Sequence, residues 1–286
     1  MFIIFNGTGR LGNQLFQLNG IEYFTRHIKK RSFIILNMPE IINCIKTQLD
    51  LRITNKKILI KLFDKHLCYV LNFLQRVRII GSLLCSFKYY KSYKLEDFYY
   101  VKKGLLPIIW VPTLYFQKSN YIEKPAFSIK EIHIKKAELF LAKHSLRKKK
   151  LVFVHIRKTD YIDFTVFDKK GADLPLIYFR RAIQWFIQNI ENPYFIFLTD
   201  DREFVENNFS DISEKIISNL DQYGDLALMS LCEYGIISNS SFSWWGAFFM
   251  KNRKKVIAPR YWLGFKSQIE YPPGIIAPWM DTIDVD

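Results

Sequence analysis

The sequence predicts an α/β protein built on open sheets, and three observations carry that expectation. Apolar runs stop abruptly in polar or glycine-rich turns at Met1–Phe5, Leu151–Ile156, Tyr194–Leu198 and Tyr234–Ile237, as strands do. Segments with apolar residues at helical spacing lie between them, for example Tyr178, Phe179, Ala182, Ile183 and Phe186. The chain has 286 residues, 49% of them hydrophobic, enough for one large or two ordinary α/β domains.

Met1–Phe5 runs into Gly7-Thr8-Gly9-Arg10-Leu11-Gly12, a GxGxxG pattern that marks a tight turn opening a helix. A dinucleotide site also needs an acid at the end of the second strand. Here Phe33–Leu36 ends in Asn37, and the nearest acid is Glu40 beyond Pro39, so the nicotinamide reading drops. Leu15, Phe16, Gly20, Tyr23 and Phe24 continue a helix, which puts Asn13 and Gln14 in its first turn. Their carboxamides suit a sugar hydroxyl as well as a helix cap.

From Ile41 to Gly104 the spacing predicts helices with basic outer faces. Lys56, Lys57, Lys61, Lys65, Arg76 and Arg78 alternate there with Leu59, Leu62, Phe63, Val70, Leu71, Leu74 and Val77. The apolar stripe is read as facing a core, with a membrane-surface helix as the alternative. A connection and helix follow over Lys124–Lys150, ending in four consecutive basic residues.

The strand Leu151–Ile156 leaves into Arg157-Lys158-Thr159-Asp160-Tyr161. Alternation along a strand turns His155 and Arg157 the same way at its carboxyl end, and a guanidinium there matches phosphate. Asp200 closes the next strand. It is read either as a helix cap, with Asp201 and Glu203 beside it, or as a carboxylate that accepts a base edge. Ser240 and Ser241 stand where a helix begins, able to cap it or to hold an anion with its free N–H groups.

Lys and Arg number 42 against 27 Asp and Glu, a formal charge of +15, which calls for an anionic partner. Cys44, Cys68, Cys85 and Cys232 show no metal-ligand spacing and point to a reducing compartment. Asp284-Val285-Asp286 spells a DxD but lies at the terminus. No charged segment precedes an apolar one at the start, and no apolar run is long enough to span a bilayer. A soluble intracellular protein is expected.

Together, Gly9–Gln17, His155–Tyr161, Leu198–Asp201 and Ser238–Ala247 resemble glycosyltransferase family 11, the α-1,2-fucosyltransferases, many of them bacterial enzymes of surface-polysaccharide and O-antigen synthesis. The chain departs from the family pattern at Lys158-Thr159, where members commonly carry Arg-Gly. The resemblance implies a GT-B-like fold, two Rossmann-like domains facing across a cleft. Residues 1–145 would form the acceptor side with a helical basic insert, and 146–286 the domain that binds the GDP-sugar. It implies inverting transfer of fucose from GDP-fucose to a galactose 2-hydroxyl, with no cofactor and no metal.

The residue roles that follow place His155, Arg157, Asp200, Ser240, Ser241 and Phe242 on the donor. Gly9, Gly12, Asn13, Gln14 and Trp245 would line the cleft toward the acceptor. Asp160, then Asp163, are the candidates for a general base. The implied partners are a GDP-sugar and a galactose-containing glycan, free or lipid-linked, and not nucleic acid. The place is the cytoplasm, with peripheral contact to the anionic inner face of the membrane. A donor such as GDP-colitose would share every motif, and a basic nucleic-acid-binding protein is the remote alternative.

Overall fold

The computed structural model describes residues 1–54, 66–90 and 93–285, with the backbone alone at Tyr90. Lys56, Lys57, Lys61, Lys65, Leu59, Leu62, Phe63 and Asp286 lie outside the described residues. The chain divides into two compact units, Met1–Ser128 and Ile129–Asp286.

The first unit runs β1 (Phe2–Asn6), α1 (Leu11–Thr25), β2 (Ser32–Leu36), α2 (Pro39–Cys44), β3 (Ile45–Thr47), β4 (Asp50–Thr54), α3 (Cys68–Arg76), β5 (Gly81–Tyr90), β6 (Tyr93–Lys102), β7 (Ile108–Val111) and β8 (Phe127–Ile129) at its end. Its sheet has the order β4-β2-β1-β7-β5-β6. All neighbours are parallel except the β5–β6 hairpin. Ile3 and Phe5 on β1 and Phe33 and Ile35 on β2 are fully buried.

The expectation of helices from Ile41 to Gly104 holds for α2 and α3 and fails at β3 and β4 and over residues 81–102, which form the hairpin. Aromatic and β-branched residues such as Phe87, Tyr89, Tyr99, Tyr100 and Val101 favour a pleated surface there. Val70 and Val77, expected to face the core, are exposed, whereas Leu71 is buried.

The second unit runs α4 (Glu131–Lys143), β9 (Lys150–Ile156), β10 (Thr165–Val166), β11 (Lys169–Lys170), α5 (Leu176–Asn189), β12 (Pro193–Thr199), α6 (Arg202–Asn208), β13 (Lys215–Ile217), α7 (Gln222–Ser230), β14 (Tyr234–Ile236), α8 (Ser241–Phe248), β15 (Lys255–Pro259) and β16 (Asp281–Ile283). Every pair in its six-stranded sheet is parallel, in the order β13-β12-β9-β14-β15-β16. Parallel strands covered on both faces must be apolar throughout. Accordingly, Leu151–Ile156 of β9 and Phe195–Leu198 of β12 are buried residue after residue. α5 sets Tyr178, Phe179, Ala182, Ile183 and Phe186 into this core.

The division falls before α4, earlier than position 145, because α4 packs on α7 of the second unit. Lys136 pairs there with Asp221 at 2.7 Å, and the rings of His133 and Tyr223 lie 5.1 Å apart. Among the described residues no helix is long and apolar enough to cross a membrane.

Candidate active site

In the second unit the chain places β12 on one side of β9 and β14 on the other, so the strand order reverses between β9 and β14. Such a switch point opens a crevice beyond the carboxyl ends of the two strands, because the connections on either side diverge. Two of the three sequence signals of this unit, His155-x-Arg157 and Ser238-Asn239-Ser240, end there.

His155 is buried on β9, and its Nδ1 lies 2.7 Å from Ser238 Oγ. Burial lowers the imidazole from its ordinary value to about 4, with the charge of Asp200 opposing, so the ring is neutral at pH 7. Phe242 sits 5.5 Å from it, ring centre to ring centre.

Arg157 follows β9 and is held from two sides. Asp160 Oδ1 accepts from its Nε at 2.8 Å and pairs with its NH2 at 2.6 Å, while NH1 meets Asp200 Oδ2 at 3.1 Å. Asp200 also accepts from the Lys158 backbone N–H at 2.9 Å and from Thr159 Oγ at 2.6 Å. Asp200 is thus an anchor for the loop after β9 and not an open carboxylate waiting for a base. The cap on α6 is its neighbour Asp201, whose Oδ1 accepts from Phe204 N at 2.9 Å. Lys158 adds a second tie, its ammonium pairing with Asp173. The departure from the family pattern at Lys158-Thr159 therefore supplies two of the contacts that fix this loop.

Ser240 is the N-cap of α8, its Oγ accepting from Phe242 N at 3.3 Å, and Ser241 opens the helix. Asn239 is buried, donates to Ala172 O at 2.7 Å, and leaves its Oδ1 without a hydrogen-bond partner. Tyr161 closes the ring by donating to Asn239 O at 3.3 Å. Burial pushes its hydroxyl up to about 12, against the pull of Arg157, so it stays protonated as a donor. One neutral imidazole, one braced guanidinium, one phenol and one helix N-terminus thus converge at the switch point. That set can hold an anion and stabilise charge developing on it.

One expectation on this side needs correction. Trp245, expected to line the cleft toward the acceptor, is wholly buried, as is Trp244, whose Nε1 donates to Ile275 O at 2.9 Å. Trp245 packs against Phe248 and Phe249, because the middle of α8, Ser243 to Ala247, is buried. Asp163, the second base candidate, is exposed and tied to Lys170 of β11 at 2.9 Å. Asp225 carries no signal in the sequence but stands out in the structure. It lies on α7, just after β13, and hydrogen-bonds Ser218. Burial raises its carboxyl to about 7, an effect the Ser218 contact partly offsets.

In the first unit Gly9, Gly12, Asn13 and Gln14 come together at the β1–α1 junction. Gly9 has φ of +77°, and a Cβ there would lie 2.6 Å from Asn13 Nδ2. Gln14 is buried and spent at both ends, Nε2 donating to Gly9 O at 2.9 Å and Oε1 accepting from Glu40 N at 3.1 Å. It braces the turn and does not line a surface. Asn13 is half-buried and accepts from Gln117 Nε2 at 2.8 Å.

The model of glycosyl transferase family 11 matches residues 2–267. The chain belongs to glycosyltransferase family 11. Among family relatives, it is 29% identical over 271 residues to an α-1,2-colitosyltransferase of Escherichia coli, covering 89% of this chain and 90% of that one. It is 26% identical over 295 residues to the O-antigen biosynthesis glycosyltransferase WbnK of Escherichia coli, with 89% and 93% covered. Human galactoside α-(1,2)-fucosyltransferase 1 matches over 117 residues at 26%, 39% of this chain and 32% of that protein.

Solved structures of similar shape include a family 9 glycosyltransferase of Veillonella parvula (TM-score 0.54, 11% identity, 99% and 86% covered). They also include the α-1,6-fucosyltransferase NodZ soaked with GDP-fucose (TM-score 0.51, 10% identity, 87% and 92% covered). These likenesses show the GT-B fold, and the family makes the chain a glycosyltransferase.

Proposed function

We propose that this glycosyltransferase moves a 6-deoxyhexose, L-fucose in the first reading, from its GDP-sugar to the 2-hydroxyl of a galactoside, with inversion at the anomeric carbon. The observation that carries the reading is Arg157, fixed by Asp160 and Asp200 at the switch point beside the N-terminus of α8. The donor class is supported by NodZ, which shares the fold and was soaked with GDP-fucose, and the acceptor by the galactoside fucosyltransferases among the relatives. The Escherichia coli relatives point to O-antigen synthesis. A second reading, GDP-colitose as donor, is favoured by the colitosyltransferase relative that matches over nearly the whole chain.

As the C1–O bond of the donor lengthens, positive charge grows on the sugar and negative charge on the departing diphosphate. A guanidinium has five N–H donors, and the contacts to Asp160 and Asp200 use three of them. The remainder, with the first N–H groups of α8, stabilise the leaving group where its charge develops. Asp160 and Asp200 act as positioning residues, since holding the fork in one orientation removes reorganisation from the barrier. Neutral His155 keeps Ser238 oriented. The acceptor hydroxyl attacks the opposite face of C1 and loses its proton late. Asp160, whose contacts to Arg157 run through Oδ1, is the carboxylate candidate for receiving it, and a strongly dissociative transition state asks little of that base.

The test incubates the protein with lactose and either GDP-L-fucose, GDP-colitose or UDP-galactose, in EDTA, and reads the product by NMR. One GDP-deoxyhexose should be transferred to the galactose 2-hydroxyl in α linkage. Transfer from UDP-galactose alone, or from none of the three, would contradict the reading; dependence on added divalent metal would contradict the metal-free form of it.

A further inference from the structure

Helix α3 is apolar on two sides. Its inner side sets Leu71 against Leu36, Ile80 and Trp110, and Trp110 Nε1 donates to Asn72 at 2.9 Å. Its outer side carries Tyr69, Val70, Phe73 and Val77, all exposed, with Tyr69 at 73% and Phe73 at 62%. Positions i, i+1, i+4 and i+8 share one helical face. A surface helix ordinarily turns polar residues outward once its core stripe is satisfied. This one presents aromatic and aliphatic side chains instead.

The same surface continues onto the turn after β6. Leu105 N donates to Arg78 O at 3.2 Å and Leu106 N to Ile79 O at 2.8 Å. Gly104 lies so close that a Cβ there would meet the Ile80 carbonyl carbon at 2.2 Å. The two exposed leucines are thereby fixed beside the end of α3. Four exposed cations, Arg76, Arg78, Lys102 and Lys103, line one concavity at the C-terminal end of α3. None of the four pairs with a described acidic residue. No Asp or Glu occurs anywhere from His66 to Leu95.

We propose that this face docks the protein on an anionic phospholipid bilayer. The apolar side chains enter the boundary between headgroups and acyl chains, and the cations meet lipid phosphates. Charge complementarity selects this occupant. A second copy of the chain, related by a two-fold axis, would bring the cations against their own images with no acid among the described residues of the patch to receive them. The surface lies entirely within the first unit and does not depend on which sugar is transferred.

Flotation of the full chain with phosphatidylcholine vesicles, with and without phosphatidylglycerol, tests the proposal. Binding should be at least about tenfold tighter to the anionic vesicles and should weaken as salt is raised. Tyr69→Ser with Phe73→Ser, and separately Arg76→Glu with Arg78→Glu, should each lower that binding about tenfold. Circular dichroism and transfer to a soluble acceptor should remain as in the parent. Equal binding to neutral and anionic vesicles, or binding that neither variant pair reduces, would overturn the proposal. So would absence of vesicle binding together with a dimer in sedimentation that Phe73→Ser dissolves.

Discussion

Each unit carries a strand that ends in a tight turn and starts a helix, and the two junctions solve that problem with different chemistry. At β1–α1 the turn is made of glycine and closed by carboxamides. Gly9 takes a left-handed φ, Gln14 bridges Gly9 O to Glu40 N, and Gln17 Oε1 accepts from Thr8 N at 3.2 Å. At β14–α8 the turn is made of hydroxyls, and Ser240 caps the helix. Beside this second junction stand Arg157 with its two carboxylates, the neutral His155 and the Tyr161 phenol. Sequence patterns of similar apparent weight therefore do different work. The glycine motif holds its own turn together, and the hydroxyl motif borders the charged set that can take an anion.

Substitutions can break this contrast. Arg157→Ala should have the largest effect, lowering kcat by roughly 10²- to 10³-fold, the scale of losing one preorganised donor at a developing charge. Arg157→Lys should recover only part of the rate, because an ammonium cannot span Asp160 and Asp200 with one planar fork.

Acid should separate the junctions next. His155 titrates at about 4 when folded against about 6.5 unfolded, so between those values the unfolded state binds more protons. Stability present above pH 6.5 is then lost as pH falls through 4, on the order of 3 kcal/mol for this one group. Thermal melts from pH 8 to 4 should show that loss in the parent and a shallower one in His155→Gln.

The smallest effect belongs to the glycine turn. Gln14→Ala should cost about 0.5–1.5 kcal/mol of stability, because it removes the two part-buried hydrogen bonds to Gly9 O and from Glu40 N. Chemical denaturation should register that cost, while GDP affinity stays at the parent value.

Much of the second unit could be read from the chain because parallel strands covered on both faces must be apolar at every position, as Leu151–Ile156 is. The residues that end such strands at a switch point are few, which brought His155, Arg157 and Ser240 forward. Asp200 was harder to place, because its job depends on Lys158 and Thr159 folding back onto it, a contact between strands that spacing does not encode. The β5–β6 hairpin imitated helices for a physical reason. The pairing shifts register between Cys85 and Phe87, and burial on β6 recurs at Leu95 and Tyr99, four residues apart, which is a helical interval. Trp245 misled by type, since an aromatic near a site is as often packing as platform. Asp225 gave no signal because a lone acid in the first turn of a helix is commonplace; only its burial beside Ser218 sets it apart.

The central claim is that the nucleoside diphosphate is held by the second junction and not by the glycine motif. Calorimetric titration of GDP, with UDP as control, into the parent, Arg157→Ala and Gln14→Ala tests it most directly. The account predicts selective GDP binding that Gln14→Ala retains and Arg157→Ala weakens at least about tenfold, the worth of one charge-assisted hydrogen bond. Binding that survives in Arg157→Ala and collapses in folded Gln14→Ala would contradict it.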